Sequence, residues 1–419
     1  MSKNPSRFGK IVRKSLRIIL FSLLFLVISI NLFIVLSGRF YLYKGIANTY
    51  LIGKSGPGIY DRDVFPYSTM AHADTVFRWK EGFKGKQIAA GSAEDKFMQK
   101  VHTTSFLVFR GDSLLFEQYW GEHNIETASN SFSAAKTFVA LLVGIALEEG
   151  KIKSLDEPVG NYLPEFKEGA KHKITIRHLL MMASGLDWEE SGKNPLSENA
   201  ESYYGSDLYG LVTRQKAIEE PGKRFNYQSG NSQLLGFVIE KATGMDLSEY
   251  AYKRIWSRIG TQHDAYWSLD KEKGDEKAFC CFYATSRDFG RLGKLILQEG
   301  SWNGKQIVPQ WYMKEMVKDP EMTTEEGVPN LRYGLHIWTY LGGETPIYYC
   351  RGILGQYIIS IPAENLVIVR TGFKRNNNYE IPEMHKKDKG YIYKNQSKVG
   401  HPTDLFYYIS MAKRVINFQ

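Results

Sequence analysis

Strand-like segments at both ends of a long helical middle constrain this chain more than any other feature. Residues 105–110 and 114–119 alternate apolar and polar around Gly111-Asp112, a hairpin signal. Helical patterns follow at residues 133–149, 175–183, 232–242, 247–255 and 286–298. Strand patterns then return at residues 333–340, 346–351, 356–361 and 366–371, the last two joined by Pro362-Ala363-Glu364-Asn365. Because strand edges must be paired, these features predict an α+β fold. One antiparallel sheet, flanked by helices, is built from the two ends, with an inserted mostly helical lobe over about residues 137–300 and a site between them. Residues 403–415 supply a closing helix, and the polar residues 374–401 a surface excursion.

Before this domain, residues 18–36 form an apolar run interrupted only by Ser22, Ser29 and Asn31, long enough to cross roughly 30 Å of hydrocarbon. Residues 1–17 are a basic tail containing Lys3, Arg7, Lys10, Arg13, Lys14 and Arg17 and no acid. The positive-inside rule therefore keeps the N-terminus cytoplasmic and places the rest outside, in the periplasm of a Gram-negative cell. A cleaved signal peptide is the rival reading, with Val35 and Ser37 suiting a cleavage site. The run exceeds the usual ~7–15 apolar residues of such signals, so an uncleaved transmembrane signal anchor is expected. Residues 37–73, rich in Gly, Pro and Tyr, read as an extended connector to a domain at 74–419.

Without those six basic residues the net charge falls from +9 to +3, which removes the case for a nucleic-acid partner. The three cysteines, Cys280, Cys281 and Cys350, are too few for a zinc site. Small buried side chains are the simple reading; a disulfide from Cys350 to Cys280 or Cys281 is the alternative.

The chemistry centres on Ser133-Ala134-Ala135-Lys136, at the start of an apolar helical run. Ser and Lys three apart share a helix face, so the amine can draw the proton from the hydroxyl as it attacks a carbonyl. Free N–H groups and the dipole of a first helical turn favour the resulting oxyanion. A second Ser-x-x-Lys, from Ser268 to Lys271, lies in the charged stretch 270–277 and reads as solvated surface.

A serine–lysine pair also needs a second proton carrier. Tyr227, on a turn before a helix, supplies one of 26 tyrosines; a charged Lys136 would favour its phenolate. Arg351-Gly352-Ile353-Leu354-Gly355-Gln356 ends a strand, where the Gly352 backbone can lie against substrate and the Ile353 N–H can join that of Ser133 as oxyanion donor. The loop 187–209, with Trp188, Glu189, Glu190, Tyr203, Tyr204 and Asp207, covers the cleft; its acids suit a substrate amine or are simply solvated.

Together these segments resemble the serine β-lactamase and DD-peptidase superfamily over about residues 104–373, and within it the class C-related esterases and aminohexanoate-oligomer hydrolases. The resemblance rests on S-F-S-A-A-K-T-F, S-L-D-E-P-V-G-N-Y-L-P-E-F, I-T-I-R-H-L-L-M-M-A-S-G-L-D-W, Y-Q-S-G-N-S, Y-A-T-S-R-D-F-G-R-L-G and G-I-L-G-Q. It implies Ser133 as acylated nucleophile, Lys136 and Tyr227 as proton-transfer partners, the Ser133 and Ile353 amides as oxyanion hole, and no metal or organic cofactor. Trp188, Tyr203, Tyr204, Ser229, Arg351, Gly352 and Gln356 are the candidate substrate contacts. Cys350-Arg351-Gly352 replaces the Lys-Thr-Gly or His-Thr-Gly of β-lactam-recognising members, and Ser229 stands where β-lactamases of this class have Asn. The expected activity is therefore cleavage of small esters or amides. Action on cell-wall peptides or β-lactams, or a non-catalytic envelope-binding role, are the alternatives.

Overall fold

Strands from the two ends of the domain meet as neighbours. In the computed structural model, which describes residues 7–417 except 83, 84, 86, 320, 326, 328 and 382–399, strand Thr103–Arg110 pairs antiparallel with both Ser113–Tyr119 and Leu366–Gly372. Gln356–Ile361, Ile347–Gly352 and Trp338–Tyr340 continue the sheet outward in antiparallel register. The expectation of a purely antiparallel sheet fails only at its far edge. There the two-residue strand Lys80–Glu81 pairs parallel with Ser113–Tyr119, making seven strands in all.

Both faces of this sheet are buried, which is why its strands read as nearly continuous apolar runs. Val367 and Val369 face one core with Leu107 and Phe109; Leu366 and Ile368 face another with Phe106 and Val108. Each such side chain contributes roughly 1.5–3 kcal/mol by burial. Helix Thr403–Asn417 covers the second core through Leu405, Tyr408 and Met411. Helix Ser286–Leu297 lies on the first, and approaches closely because Gly290 and Gly293 carry no side chain. A Cβ on Gly293 would stand 2.5 Å from Val367.

The helical lobe packs around helix Ala135–Glu148, apolar apart from Lys136, Thr137 and Glu148 and buried throughout from Ala135 to Ala146. Helix Ser229–Thr243 lies against it. The lobe also holds a small sheet in the order Tyr67–Met70, Ala265–Ser268, Phe282–Ala284, Ser129–Asn130.

Several expectations need correction. Residues 37–73 are not an extended connector: Tyr41–Asn48 is helical, and the compact unit Pro57–Gln419 begins before residue 74. Ile59 and Phe65 are buried there, the Ile59 carbonyl accepts from the Asn130 N–H at 2.9 Å, and Tyr67–Met70 is a paired strand. Within residues 333–340 only Trp338–Tyr340 is strand, because His336 turns the chain with φ of 55°. The charged stretch 270–277 is not wholly solvated either: Asp270, Glu276 and Lys277 are buried. Cys350 is a free buried thiol, as in the simple reading, and neither alternative pairing of it forms; Cys280 is instead joined to its neighbour Cys281. Of the other unit, Met1–Gly56, helix Arg7–Ser37 contains a stretch, Ile11–Ser37, long and apolar enough to cross a membrane. Residues 1–6 of the basic tail and 382–399 of the polar excursion lie outside the described residues.

Candidate active site

Ser133 sits in the 3-10 turn Phe132–Ala134 that leads into helix Ala135–Glu148. The residue before it, Phe132, is buried with φ of 45°, a conformation that non-glycine residues rarely adopt. The Asn130 side chain secures it by accepting the Phe132 N–H at 2.8 Å. Lys136, one helical turn on, is 1% exposed. Its ammonium donates to the Ser133 hydroxyl at 3.1 Å and to the Phe279 carbonyl at 2.7 Å. Burial lowers the Lys136 pKa to about 8, with Glu190 opposing the shift, so roughly a tenth of the amine is neutral at pH 7.

Tyr227 follows the short strand Arg224–Phe225 and precedes helix Ser229–Thr243. Its ring stacks on Trp338 at 5.7 Å and meets Tyr333 edge-on at 5.7 Å, and the Lys136 ammonium lies 5.3 Å from its centre. Desolvation and then the charge of Glu190 push its pKa well above the usual tyrosine value, outweighing Ser133, Arg351 and Arg375, which act the other way. Burial thus favours the protonated phenol of Tyr227, against the phenolate that a charged Lys136 would favour.

Gly352 ends strand Ile347–Gly352 against the nucleophile turn, where a Cβ would stand 2.2 Å from the Ser131 carbonyl and 3.0 Å from Phe132. Only glycine permits that approach. The other candidate contacts separate into two groups. Ser229, Gly352 and half-buried Arg351 border this region; Arg351 donates to the Tyr379 hydroxyl at 3.1 Å and lies over Trp338 at 4.9 Å. Gln356 is buried, its amide bonded to the Ile353 and Gly372 carbonyls, so it shapes the Ile353 turn rather than facing a substrate. Tyr203 is also buried, packed edge-on against Phe65 and Tyr204, with its carbonyl accepting from Lys277. Trp188 is buried too, and donates its indole N–H to Glu190 at 2.7 Å.

Three groups support the site in ways the sequence does not show. His336 joins three helical segments: its Nδ1 donates to the Leu180 carbonyl at 2.7 Å, its Nε2 pairs with Ser232 at 2.8 Å, and its carbonyl accepts from Thr137 at 2.7 Å. Burial lowers its pKa to about 3, so it stays neutral. Glu190, named from sequence only as one acid of the covering loop, is the second: it accepts from Ser229 and Trp188. The loop around the Cys280–Cys281 disulfide, which presents the Phe279 carbonyl to Lys136, is the third. Among the described residues no cluster of three or more His, Cys, Asp or Glu could hold a metal ion. A cavity of about 610 Å³ lined by Tyr60, Arg62, His72, Asp264 and Tyr266 includes none of the reactive groups, so chemistry rather than volume locates the site.

Comparison with known proteins bears on the family and the fold. The family described as Beta-lactamase matches residues 90–378. The 6-aminohexanoate-dimer hydrolase of Paenarthrobacter ureafaciens is 26% identical over 290 residues, 65% of this chain and 73% of the relative. The teichoic acid D-alanine hydrolase of Staphylococcus aureus is 27% identical over 338 residues, 71% of this chain and 78% of the relative. A solved Bacillus anthracis structure, provisionally described as a 6-aminohexanoate-dimer hydrolase, superposes with a TM-score of 0.69 at 22% identity, covering 85% of this chain and 92% of its own.

Proposed function

The chain belongs to the beta-lactamase family and is a serine hydrolase of it, and on that footing we propose that it cleaves small esters or amides through an acyl-enzyme on Ser133. The observation that carries the proposal is the Lys136 amine, buried, held 3.1 Å from the Ser133 hydroxyl and lowered to a pKa of about 8. In its neutral form it accepts the Ser133 proton as the oxygen attacks the carbonyl carbon. The N–H groups of Ser133 and Ile353 receive the oxyanion. As the tetrahedral intermediate collapses, the Tyr227 hydroxyl gives its proton to the departing alkoxide or amine, and protonated Lys136 restores it. Water then attacks the Ser133 ester with the same groups in reverse, releasing the acid.

Helix Arg7–Ser37, with its basic leading residues, supports the further reading that the hydrolase is anchored to a membrane and works outside the cytoplasm. Incubation with p-nitrophenyl acetate and butyrate, beside Ser133→Ala, tests the core of the proposal. Product release with a mass increase on Ser133 is expected. A folded protein showing neither would overturn it.

A further inference from the structure

The chain does not run straight away from its apolar N-terminal helix. Helix Arg7–Ser37 stops at Gly38, whose φ of 68° is left-handed, and the Arg39 N–H returns to the Ile34 carbonyl at 3.1 Å. Helix Tyr41–Asn48 then folds back against it: the Tyr43 hydroxyl donates to the Asn31 amide oxygen, twelve residues earlier, at 2.8 Å. The Asn31 amide nitrogen donates to the Val27 carbonyl, also at 2.8 Å. With the helix read as an anchor, Asn31 lies inside the apolar run, about 8 Å short of its end at Leu36. A polar amide at that depth needs protein partners, because hydrocarbon supplies none. Tyr43 is its partner from beyond the helix, and reaching Asn31 carries the phenol to the membrane boundary, where tyrosine is favoured.

The residues that follow suit the same boundary. Phe40, Tyr43, Tyr50, Leu51 and Ile52 are all exposed within thirteen residues, and Leu51, at 76%, is as exposed as Phe25 on the apolar helix itself, at 73%. From Pro57 onward the exposed large apolar residues, Ile218 and Trp311 foremost, are spread thinly along the chain, as on an ordinary soluble surface. The backbone of the segment is also occupied. The Ile52 and Lys54 N–H groups donate to the Thr49 carbonyl at 3.0 and 2.9 Å, the Gly53 N–H to the Tyr50 carbonyl at 3.2 Å, and the Thr49 hydroxyl to the Gly45 carbonyl at 2.6 Å. No acidic residue occurs from Gly38 to Tyr60, whereas Arg39, Lys44 and Lys54 are basic. Apolar rings, a hydrogen-bonded backbone and positive charge are what the boundary between headgroups and acyl chains accepts.

We propose that residues 38–54 form a second membrane attachment, an interfacial foot whose partner is the headgroup–acyl boundary of the phospholipid bilayer that helix Arg7–Ser37 crosses. The inference rests on the anchor reading of that helix and goes beyond it, since a single-pass anchor by itself leaves these side chains in water.

The test places the full chain in phosphatidylcholine–phosphatidylglycerol vesicles with one nitroxide label, at Leu51→Cys or, as a second position, Ile52→Cys. Phe25→Cys is the lipid reference and Ile218→Cys the water reference. The unsubstituted chain, with only the buried Cys350 thiol and the Cys280–Cys281 disulfide, gives the labelling background. Collision of the label with oxygen, which concentrates in lipid, is compared with collision with a nickel chelate, which stays in water. All four positions are between 58% and 76% exposed, so a difference among them reports surroundings rather than burial. The oxygen-to-nickel ratio at Leu51 or Ile52 should exceed that at Ile218 by about twofold or more, with Phe25 higher still. Ratios at both foot positions within about twofold of that at Ile218, beside a lipid-like Phe25, would overturn the foot and leave the anchor standing. A water-like Phe25 would overturn the anchor reading, and the foot with it.

Discussion

Lys136 is enclosed by two walls of different origin. One holds side chains with exchangeable protons: the Ser133 hydroxyl, a helical turn away, and the Tyr227 phenol, on the turn before helix Ser229–Thr243. The other comes from two loops: the Phe279 carbonyl beside the Cys280–Cys281 disulfide, and Glu190 on the covering loop. The first wall supplies atoms that the proposed reaction changes. The second sets the charge and solvation of those atoms, and it is built from a backbone carbonyl and a carboxylate whose positions only the fold determines. Reactive groups and the groups that tune them are thus separable, and the separation can be measured.

Loss of the first wall should be the largest effect. Ser133→Ala should abolish acylation, read as no burst and no mass adduct with p-nitrophenyl butyrate. Lys136→Ala and Tyr227→Phe should retain the fold by circular dichroism and lower the acylation rate by about 10²–10⁴. Retained activity in either would collapse the distinction between the walls.

The pH profile addresses the second wall. The groups around the Lys136 amine are Ser133, the Phe279 carbonyl, Tyr227, Glu190 and neutral His336. Lys136 acts as a base only after losing its proton, so kcat/KM should rise about tenfold per pH unit below about 8 and level off above it. It should not decline until Tyr227 ionises, well above the ordinary tyrosine range. A base acting as Tyr227 phenolate beside a permanently charged Lys136 gives a different profile, its rising limb belonging to the phenol. A limb near the unperturbed lysine value would show that burial leaves the amine unshifted.

How far the sequence reveals each wall follows from the range of the interactions. Ser133 and Lys136 are legible because helix geometry alone brings residues three apart together. Strands Thr103–Arg110 and Leu366–Gly372 are legible because turns and apolar runs mark them, although nothing local says that they pair. Illegible were contacts that need the assembled fold. Tyr203 and Gln356 are polar residues near motifs, yet packing withdraws both from the surface. Lys277 belongs to a run that reads as solvated, but the Ser202 and Tyr203 carbonyls give its buried ammonium partners. Glu190 is one of six acids in residues 187–209, with no local mark to distinguish it from Glu189; its inward turn depends on Ser229, 39 positions away.

The smallest effect should come from opening the disulfide behind the Phe279 carbonyl. Cys280→Ala combined with Cys281→Ala removes the bond and leaves apolar side chains in an apolar surrounding. The loop has other anchors: the Trp267 indole donates to the Lys277 and Cys280 carbonyls, each at 3.0 Å, Cys280 N–H to the Lys277 carbonyl at 3.0 Å, and Ser268 N–H to the Cys281 carbonyl at 3.0 Å. With these in place the Phe279 carbonyl should stay beside Lys136, and kcat/KM should fall by less than about tenfold, or ~1.4 kcal/mol. The rising limb of the pH profile should remain near that of the unmodified chain. A larger fall with an intact fold, accompanied by a displaced limb, would mean that the disulfide holds the base in position. The second wall would then contribute to catalysis on the scale of the first, because loosening one carbonyl would have changed both the protonation of Lys136 and its reach to Ser133.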